Sequence, residues 1–109
     1  MISRRLERAT ELIKRELSGI IAKDFILSGV MITLTRVELS SDLQYADIYF
    51  MVIPDKLLEQ ARKMFGKNIF DIQQALNKRL RMRPVPKVRF HKDEALLEAA
   101  KLDEFLKGV

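Results

Sequence analysis

The sequence predicts an α+β fold in which helices pack on one face of a three-stranded sheet. In some segments apolar residues recur every three or four positions, as in amphipathic helices, and in others every second position, as in half-buried strands. The 109 residues contain no cysteine, and no Gly/Ser-rich linker or internal repeat divides them. With 48% hydrophobic and 32% charged residues, we expect residues 1–109 to form a single domain with a buried core.

The first element is predicted to be a helix from Ser3 to Ala22, with Ser3 as its N-cap. Arg4, Arg8 and Arg15 fall on the side opposite the apolar residues. The apolar stripe consists of Ile2, Leu6, Ala9, Ile13, Leu17 and Ile20.

A strand rich in β-branched residues is expected from Val30 to Leu39. Its apolar side chains change parity halfway, because Leu34 belongs to one alternating set and Val37 to the other. One extra residue near Thr35-Arg36 would bring both sets to the same face, so we predict a β-bulge there. The alternative is a strand that is apolar on both faces for part of its length.

A turn at Ser40-Ser41-Asp42 leads into a second strand from Gln44 to Ile53. Because the connection is short, the two strands are expected to form an antiparallel hairpin. Its inward face comprises Ala46, Ile48, Phe50 and Val52.

The second half of the chain begins with a helix at or just after Pro54. Gly66 interrupts the pattern, so a helix pair with a break at Gly66 is predicted, ending before Pro84 and Pro86. After the break, helical spacing resumes on the same side as Phe65, through Ile69, Ile72, Leu76 and Leu80.

A third strand is expected from about Val85 to His91, with Val88 and Phe90 pointing inward and Lys87 and Arg89 outward. The tail, Asp93 to Lys107, is predicted to form a last helix. The predicted order is therefore α-β-β-α-α-β-α.

Positive charge is concentrated in one part of the chain. The formal net charge is +5, and residues 66–92 alone carry eight basic residues and one acidic residue. A basic block in a foldable segment favours phosphate binding, and its alternative is a solvated face that keeps the protein soluble. We expect these bases to gather on one side of the molecule, where a polyanion can lie.

Three aromatic residues, Tyr45, Tyr49 and Phe70, lie off the apolar stripes and are candidates for stacking on unpaired bases. For the two tyrosines, the alternative is that they cover the second face of the sheet. Gly66-Lys67-Asn68-Ile69 begins like the GxxG loop of a KH domain, and its alternative is a simple helix break.

Two stretches of the chain resemble the ribosome-binding factor A family of bacterial small-subunit assembly factors. Residues Val37 to Tyr49 are similar to the family's V-E-x-S-x-D-x-x-Y-A-x-V-Y hairpin signature. Residues Leu80 to Phe90 resemble its L-R-x-R-x-x-P-x-x-x-F segment. The opening Arg4-Arg5-Leu6-Glu7-Arg8 fits its first helix, and the resemblance covers residues 4–106.

The resemblance implies a KH-like domain of the second type, α-β-β-α-α-β, with a helix-kink-helix unit. It implies a protein that binds the immature small ribosomal subunit and its rRNA, assists late maturation of that rRNA and is associated with growth in the cold. It implies neither an enzyme nor a cofactor. The chain differs from the family at the kink, where Asn68-Ile69-Phe70 replaces a small-residue A-x-G, and at Lys23 to Gly29, which lacks the usual D-P-R.

Three functional hypotheses follow. The first is an rRNA-binding assembly factor that uses a basic face. The second is a protein-interaction module of similar α+β layout, which would use the tail helix or an edge strand. The third is an enzyme, for which the single histidine, His91, offers little, since acid–base catalysis needs paired ionisable groups in a pocket.

For the first hypothesis, the expected RNA contacts are basic side chains of the first helix, the third helix and the strand after it. No metal site, membrane span or small-molecule substrate is expected, and we expect a cytoplasmic monomer. The expected contacts are Arg4, Arg8, Lys67, Lys78, Arg79, Arg81, Arg83, Lys87 and Arg89.

Overall fold

A computed structural model describes residues 4–95 of the chain. Within them, two helices cover one face of a three-stranded sheet, so the α+β prediction is confirmed. Ser3 and nearly all of the predicted C-terminal helix lie outside the described residues. The elements are α1 (Arg4–Asp24), β1 (Met31–Leu39), β2 (Tyr45–Ile53), a 3-10 turn (Asp55–Leu57), α2 (Leu58–Arg79) and β3 (Lys87–Lys92).

The apolar stripe of α1 packs against the sheet largely as the spacing predicts. Ile13, Leu17 and Ile20 are fully buried, and Ile21 joins them. Leu6 and Ala9, nearer the start of the helix, are only half-buried. The centre and end of α1 therefore anchor the helix to the core.

The bulge in β1 is confirmed. The pairing passes from Leu34 opposite Phe50 directly to Arg36 opposite Tyr49, which leaves Thr35 as the extra residue. Leu34 and Val37 are both buried as a result, so the alternative of a strand apolar on both faces is wrong. The Thr35 hydroxyl donates a hydrogen bond to the carboxylate of Asp93 at 2.6 Å.

The hairpin between β1 and β2 is antiparallel, as predicted, and its turn is held by side chains. The Asp42 carboxylate accepts hydrogen bonds from the Ser40 hydroxyl at 2.7 Å and from the Gln44 N–H at 3.2 Å. These bonds, the Ser40 bond foremost, lower the pKa of Asp42. The four predicted inward residues are all buried: Ala46, Ile48, Phe50 and Val52.

The third strand lies beside β2 and runs parallel to it, which makes β2 the central strand. The chain reaches β3 through α2, the kind of crossover that a parallel pair requires. Val88 is buried and Phe90 half-buried, whereas Lys87 and Arg89 are exposed, as their alternation predicts. Phe65 of α2 stacks on Phe90 with ring centroids 4.2 Å apart and so ties the helix to this strand.

The predicted break at Gly66 is wrong, because α2 runs without interruption through 22 residues. Among the described residues only Gly29 and Leu43 have positive φ, so Gly66 keeps ordinary helical geometry. A glycine inside a helix costs about 1 kcal/mol relative to alanine. Buried residues on both sides, Phe65 and Ile72 among them, outweigh that cost and hold the helix together.

The same continuity rules out one further interpretation. Gly66-Lys67-Asn68-Ile69 is a stretch of helix and therefore cannot form a GxxG loop. Ile69, predicted to lie on the core side, is 36% exposed because it falls at the margin of the buried stripe.

The helix ends before Leu80, whose backbone is extended, and Pro84 and Pro86 follow as expected.

Candidate nucleic-acid interface

One side of α2 carries a line of exposed cations with an aromatic residue in its middle. The residues are spaced by four, three, four and four positions, so they share one stripe on the side away from Phe65 and Ile72. All of them are exposed. We call this stripe the α2 outer face, and it comprises Lys63, Lys67, Phe70, Gln74 and Lys78.

The cations of the α2 outer face are available to an external anion. Within residues 4–95, none of Lys63, Lys67 and Lys78 forms an ion pair or a hydrogen bond through its side chain. Glu59, near the start of the helix, is paired with Arg62 at 3.0 Å. Asp71 is the one acid in residues 60–92, so the field along this side is positive.

A shallow groove of about 350 Å³ runs between α2 and β3 next to this face. Its apolar lining includes Phe65 and Ile69 from the helix and Val88 and Phe90 from the strand. Gly66 also lines the groove and lies one turn before Phe70, so the groove adjoins the α2 outer face. A cation-lined helix face beside an apolar groove suits a ligand that carries both phosphates and flat bases.

Of the bases expected on the third helix, Lys67 and Lys78 lie on the α2 outer face, and Arg81 is exposed just beyond the helix end. Arg79 instead pairs with Glu16 of α1 at 3.4 Å and bridges the two helices. Arg83 folds back on the helix end. Its guanidinium donates hydrogen bonds to the carbonyl oxygens of Leu80, Met82 and Asn77.

Arg4 and Arg8 lie on a separate surface, in the first turns of α1. Both are exposed, and they share a broad shallow depression with Glu7 and Glu11. Lys14 and Arg15 line the same depression, so four bases lie among two acids and the surface is positive but of mixed charge.

Lys87 and Arg89 lie on the open face of the sheet, the face that the helices leave uncovered. The Arg89 guanidinium donates to both carboxylate oxygens of Asp47, at 2.8 and 3.1 Å, and lies 4.3 Å from the centroid of the Tyr45 ring. The expectation that all the bases gather on one side is therefore wrong. In a two-layer fold, the outward side of β3 and the outward side of α2 face opposite directions.

A network of polar and aromatic side chains covers the open face of the sheet around Asp47. The Nε2 atom of His91 lies 2.8 Å from an Asp47 oxygen, and the His91 and Tyr49 rings lie 5.2 Å apart. Arg36 covers the same Tyr49 ring, with its guanidinium carbon 3.9 Å from the ring centroid. The hydrogen bond from Arg89, aided by His91, lowers the pKa of Asp47 although partial burial opposes it.

Sequence reasoning missed this network. The alternation in β2 places Tyr45, Asp47 and Tyr49 on one side, but only the parallel pairing with β3 brings Arg89 and His91 opposite them. The tyrosines cover the second face of the sheet, which agrees with the alternative given for them.

The described part of the chain shows neither a metal-binding cluster nor a membrane-spanning helix. No group of three or more His, Asp and Glu side chains in residues 4–95 is arranged to hold a metal ion. Neither described helix has an apolar stretch long enough to cross a bilayer.

Comparison with known proteins points to one family. The model of the ribosome-binding factor A family matches residues 5–106. Ribosome-binding factor A of Pelodictyon phaeoclathratiforme is 30% identical over 112 residues, which cover 99% of this chain and 93% of the relative.

A crystal structure and a fitted homology model share the fold. The crystal structure of ribosome-binding factor A from Thermus thermophilus has a TM-score of 0.67 at 25% identity, over 80% of this chain and 94% of that one. A Thermus thermophilus homology model of the same factor, fitted into a cryo-EM map of its complex with 30S, has a TM-score of 0.64 at 26% identity, over 78% of this chain and 91% of that one. The match along almost the whole sequence, together with the shared fold, shows that the chain belongs to the ribosome-binding factor A family.

Proposed function

We propose that this chain is a KH-like, single-domain RNA-binding protein of the cytoplasm. It binds the immature small ribosomal subunit through rRNA and assists late maturation of that rRNA, with a role in growth in the cold. Family membership and the 30S complex of the Thermus relative support this proposal. The chain acts as a monomer, by binding and without a cofactor.

The observation that carries the proposal is the α2 outer face. Lys63, Lys67 and Lys78 stand in line, exposed and without partners among the described residues. Lysines that neutralise phosphates release counterions, and this release dominates the affinity of proteins for nucleic acids. Such a face favours one rRNA arrangement over another only through its differential affinity for the two. Maturation is then assisted without any chemical step.

The remaining expected contacts take different parts in this proposal. Arg81 extends the α2 outer face beyond the helix end, and Arg4 and Arg8 contribute from α1. Arg79, Arg83 and Arg89 are engaged with Glu16, backbone carbonyls and Asp47, so they act chiefly in the fold. Lys87 lies on the open face of the sheet and is remote from the main contact.

The proposal is tested with two double variants, each of which removes two positive charges from a different part of the molecule. The double variant Lys67→Gln, Lys78→Gln is compared with Lys23→Gln, Arg36→Gln, which removes the same charge from exposed positions on α1 and on the open face of the sheet. Affinity for small-subunit rRNA is measured by fluorescence anisotropy over a range of salt concentrations. We expect only the α2 variant to lose affinity and to lower the slope of log K against log salt, by about 0.7 to 0.9 per lost phosphate contact.

An equal loss of affinity in both variants would show that general positive charge is responsible, and an unchanged slope in the α2 variant would contradict the proposal. Co-sedimentation separates ribosome assembly from general RNA binding. The unaltered chain should pellet with free small subunits at salt concentrations at which mature paired ribosomes no longer retain it.

One observation favours the second hypothesis, a protein-interaction module. Ile26, Met31 and Ile53 are 74%, 63% and 53% exposed, and the last two are paired at the same end of the sheet. If this apolar end were the functional surface, RNA affinity would be weak and indifferent to Lys67 and Lys78. The same titration therefore decides between the two hypotheses.

A further inference from the structure

We propose that the Phe70 ring stacks on an unpaired base of the RNA that the α2 outer face holds, which makes the preferred ligand a single-stranded or bulged segment. This inference rests on the proposed function and specifies the class of RNA for the same face. It concerns one exposed ring and the cations in line with it.

Phe70 is unusual among the described aromatic side chains because it is 69% exposed and contacts no other ring or guanidinium group in residues 4–95. Phe50, Phe65 and Phe90 pack on one another in the core. Tyr45 and Tyr49 are covered by Arg89 and Arg36. Phe25 is partly buried against the core, so Phe70 alone of the seven Phe and Tyr rings in residues 4–95 offers an uncovered π-face to a ligand.

The position of Phe70 within the α2 outer face suits a nucleotide. Lys67 lies one turn before it and Gln74 one turn after it. Lys63 and Lys78 extend the line of cations to a length of about 22 Å along the helix axis, enough for a strand of several nucleotides. A base stacked on Phe70 would therefore have lysines on both sides to receive its flanking phosphates.

The surface next to the ring is open on the side of the groove. Gly66 lies one turn before Phe70, and a Cβ atom placed there would find no heavy atom within 4 Å beyond its chain neighbours and the backbone of its own helix. Ile69, 36% exposed, continues the apolar surface toward the groove between α2 and β3. Among residues 4–95, nothing in this groove blocks the approach of a flat base to the ring from this side.

Duplex RNA fits this arrangement poorly. Its bases are stacked within the helix, and its major groove is too deep and narrow for a side chain to enter. Unpaired bases expose their faces, and stacking on an aromatic ring accepts any base. A protein partner fits poorly as well, because the exposed ring lies in a row of lysines.

The absence of tryptophan from the chain permits a direct test. Phe70→Trp places a single indole at the proposed stacking position, and Ile26→Trp places one at a 74% exposed position between α1 and β1 as the matched control. We expect a short single-stranded RNA to quench the fluorescence of Trp at position 70, and a duplex of the same length to leave it nearly unchanged. Position 26 should respond to neither RNA.

Affinity measurements distinguish the contribution of aromatic stacking from that of apolar contact alone. Phe70→Ala and Phe70→Leu are expected to weaken binding of the single strand by about 5-fold to 150-fold, whereas Phe70→Trp should preserve it. Because no charge is removed, the salt slope should stay unchanged in all three variants. Binding of the duplex should change by less than about twofold.

Equal single-strand affinities of the Ala, Leu and Trp variants and the unaltered chain would overturn the inference, as would an equal loss for strand and duplex. If these variants bind alike while Lys67→Gln, Lys78→Gln still lowers the salt slope, the inference fails and the proposed function stands. If the unaltered chain binds no RNA, both fail. Selective capture of a protein through Phe70 with no quenching by RNA would also overturn it.

Discussion

The basic side chains of this protein differ in whether hydrogen-bond or ion-pair partners within the fold already hold them. The Arg89 guanidinium is held by both oxygens of Asp47 and packs over Tyr45, and Arg83 is held by backbone carbonyls. Charge-assisted hydrogen bonds of this kind are stronger than neutral ones, so breaking them to bind phosphate carries a cost. Lys67 and Lys78 form no such bonds within residues 4–95, so we expect them to bind phosphate more readily than Arg83 and Arg89.

Asp47 is predicted to stabilise the pairing of β2 with β3 through its charge. Because its folded-state pKa is lowered below 3.8, its contribution is fully present above that value and is lost as the pH falls through the folded-state pKa. Asp47→Asn should lower the free energy of unfolding by about 1 kcal/mol at pH 7 and by much less at low pH. Urea denaturation at both pH values measures the difference.

Asp71→Asn, at an exposed position with no ion pair in the described chain, is the control and should change stability little at either pH. A loss in Asp47→Asn that stays the same at low pH would show that the carboxylate charge does not carry the effect.

At the scale of the elements, the spacing of apolar residues correctly predicted the features that depend on neighbouring residues in the chain. The parity change between Leu34 and Val37 was sufficient to locate the bulge, and the spacing in α1 and β2 identified their buried sides. Gly66 was misjudged because a glycine is a weak local signal. Its effect depends on whether the buried stripe continues beyond it, and Ile72 and Leu76 show that it does.

The continuity of α2 predicts that Gly66→Ala stabilises the protein. Beyond its chain neighbours and its own helix backbone, the alanine Cβ meets no heavy atom within 4 Å, and alanine has the higher helix propensity. The free energy of unfolding should therefore rise by about 1 kcal/mol and the Tm by about 4 °C. Calorimetry on the full chain measures the change.

Gly29→Ala is the opposing control. Gly29 has φ of +77°, so alanine there should lower stability by about 1 kcal/mol. A lower Tm for Gly66→Ala would mean that α2 bends at Gly66 and would contradict the continuous helix.

At the scale of the whole molecule, the two-layer arrangement decides which bases can act together. The alternation identified Lys87 and Arg89 as outward on their strand, and the concentration of bases identified Lys67 and Lys78 as expected RNA contacts. Neither the pairing of β3 with β2 nor the position of α2 on the sheet could be predicted from the sequence. These depend on contacts between distant residues, such as Phe65 with Phe90. The candidate interface therefore keeps only Lys67, Lys78 and Arg81 from the basic segment 66–92 and adds Lys63, which precedes it.

The central claim is that the α2 outer face, and not the open face of the sheet, lies against rRNA. Because the chain has no cysteine, Gln74→Cys and Thr33→Cys each create a single attachment point, the first on the α2 outer face and the second on the open face of the sheet. A tethered iron chelate generates hydroxyl radicals that cleave nearby RNA in complexes with small ribosomal subunits. We predict localised rRNA cleavage from position 74 and only background cleavage from position 33. Cleavage from position 33 with none from position 74 would contradict the account.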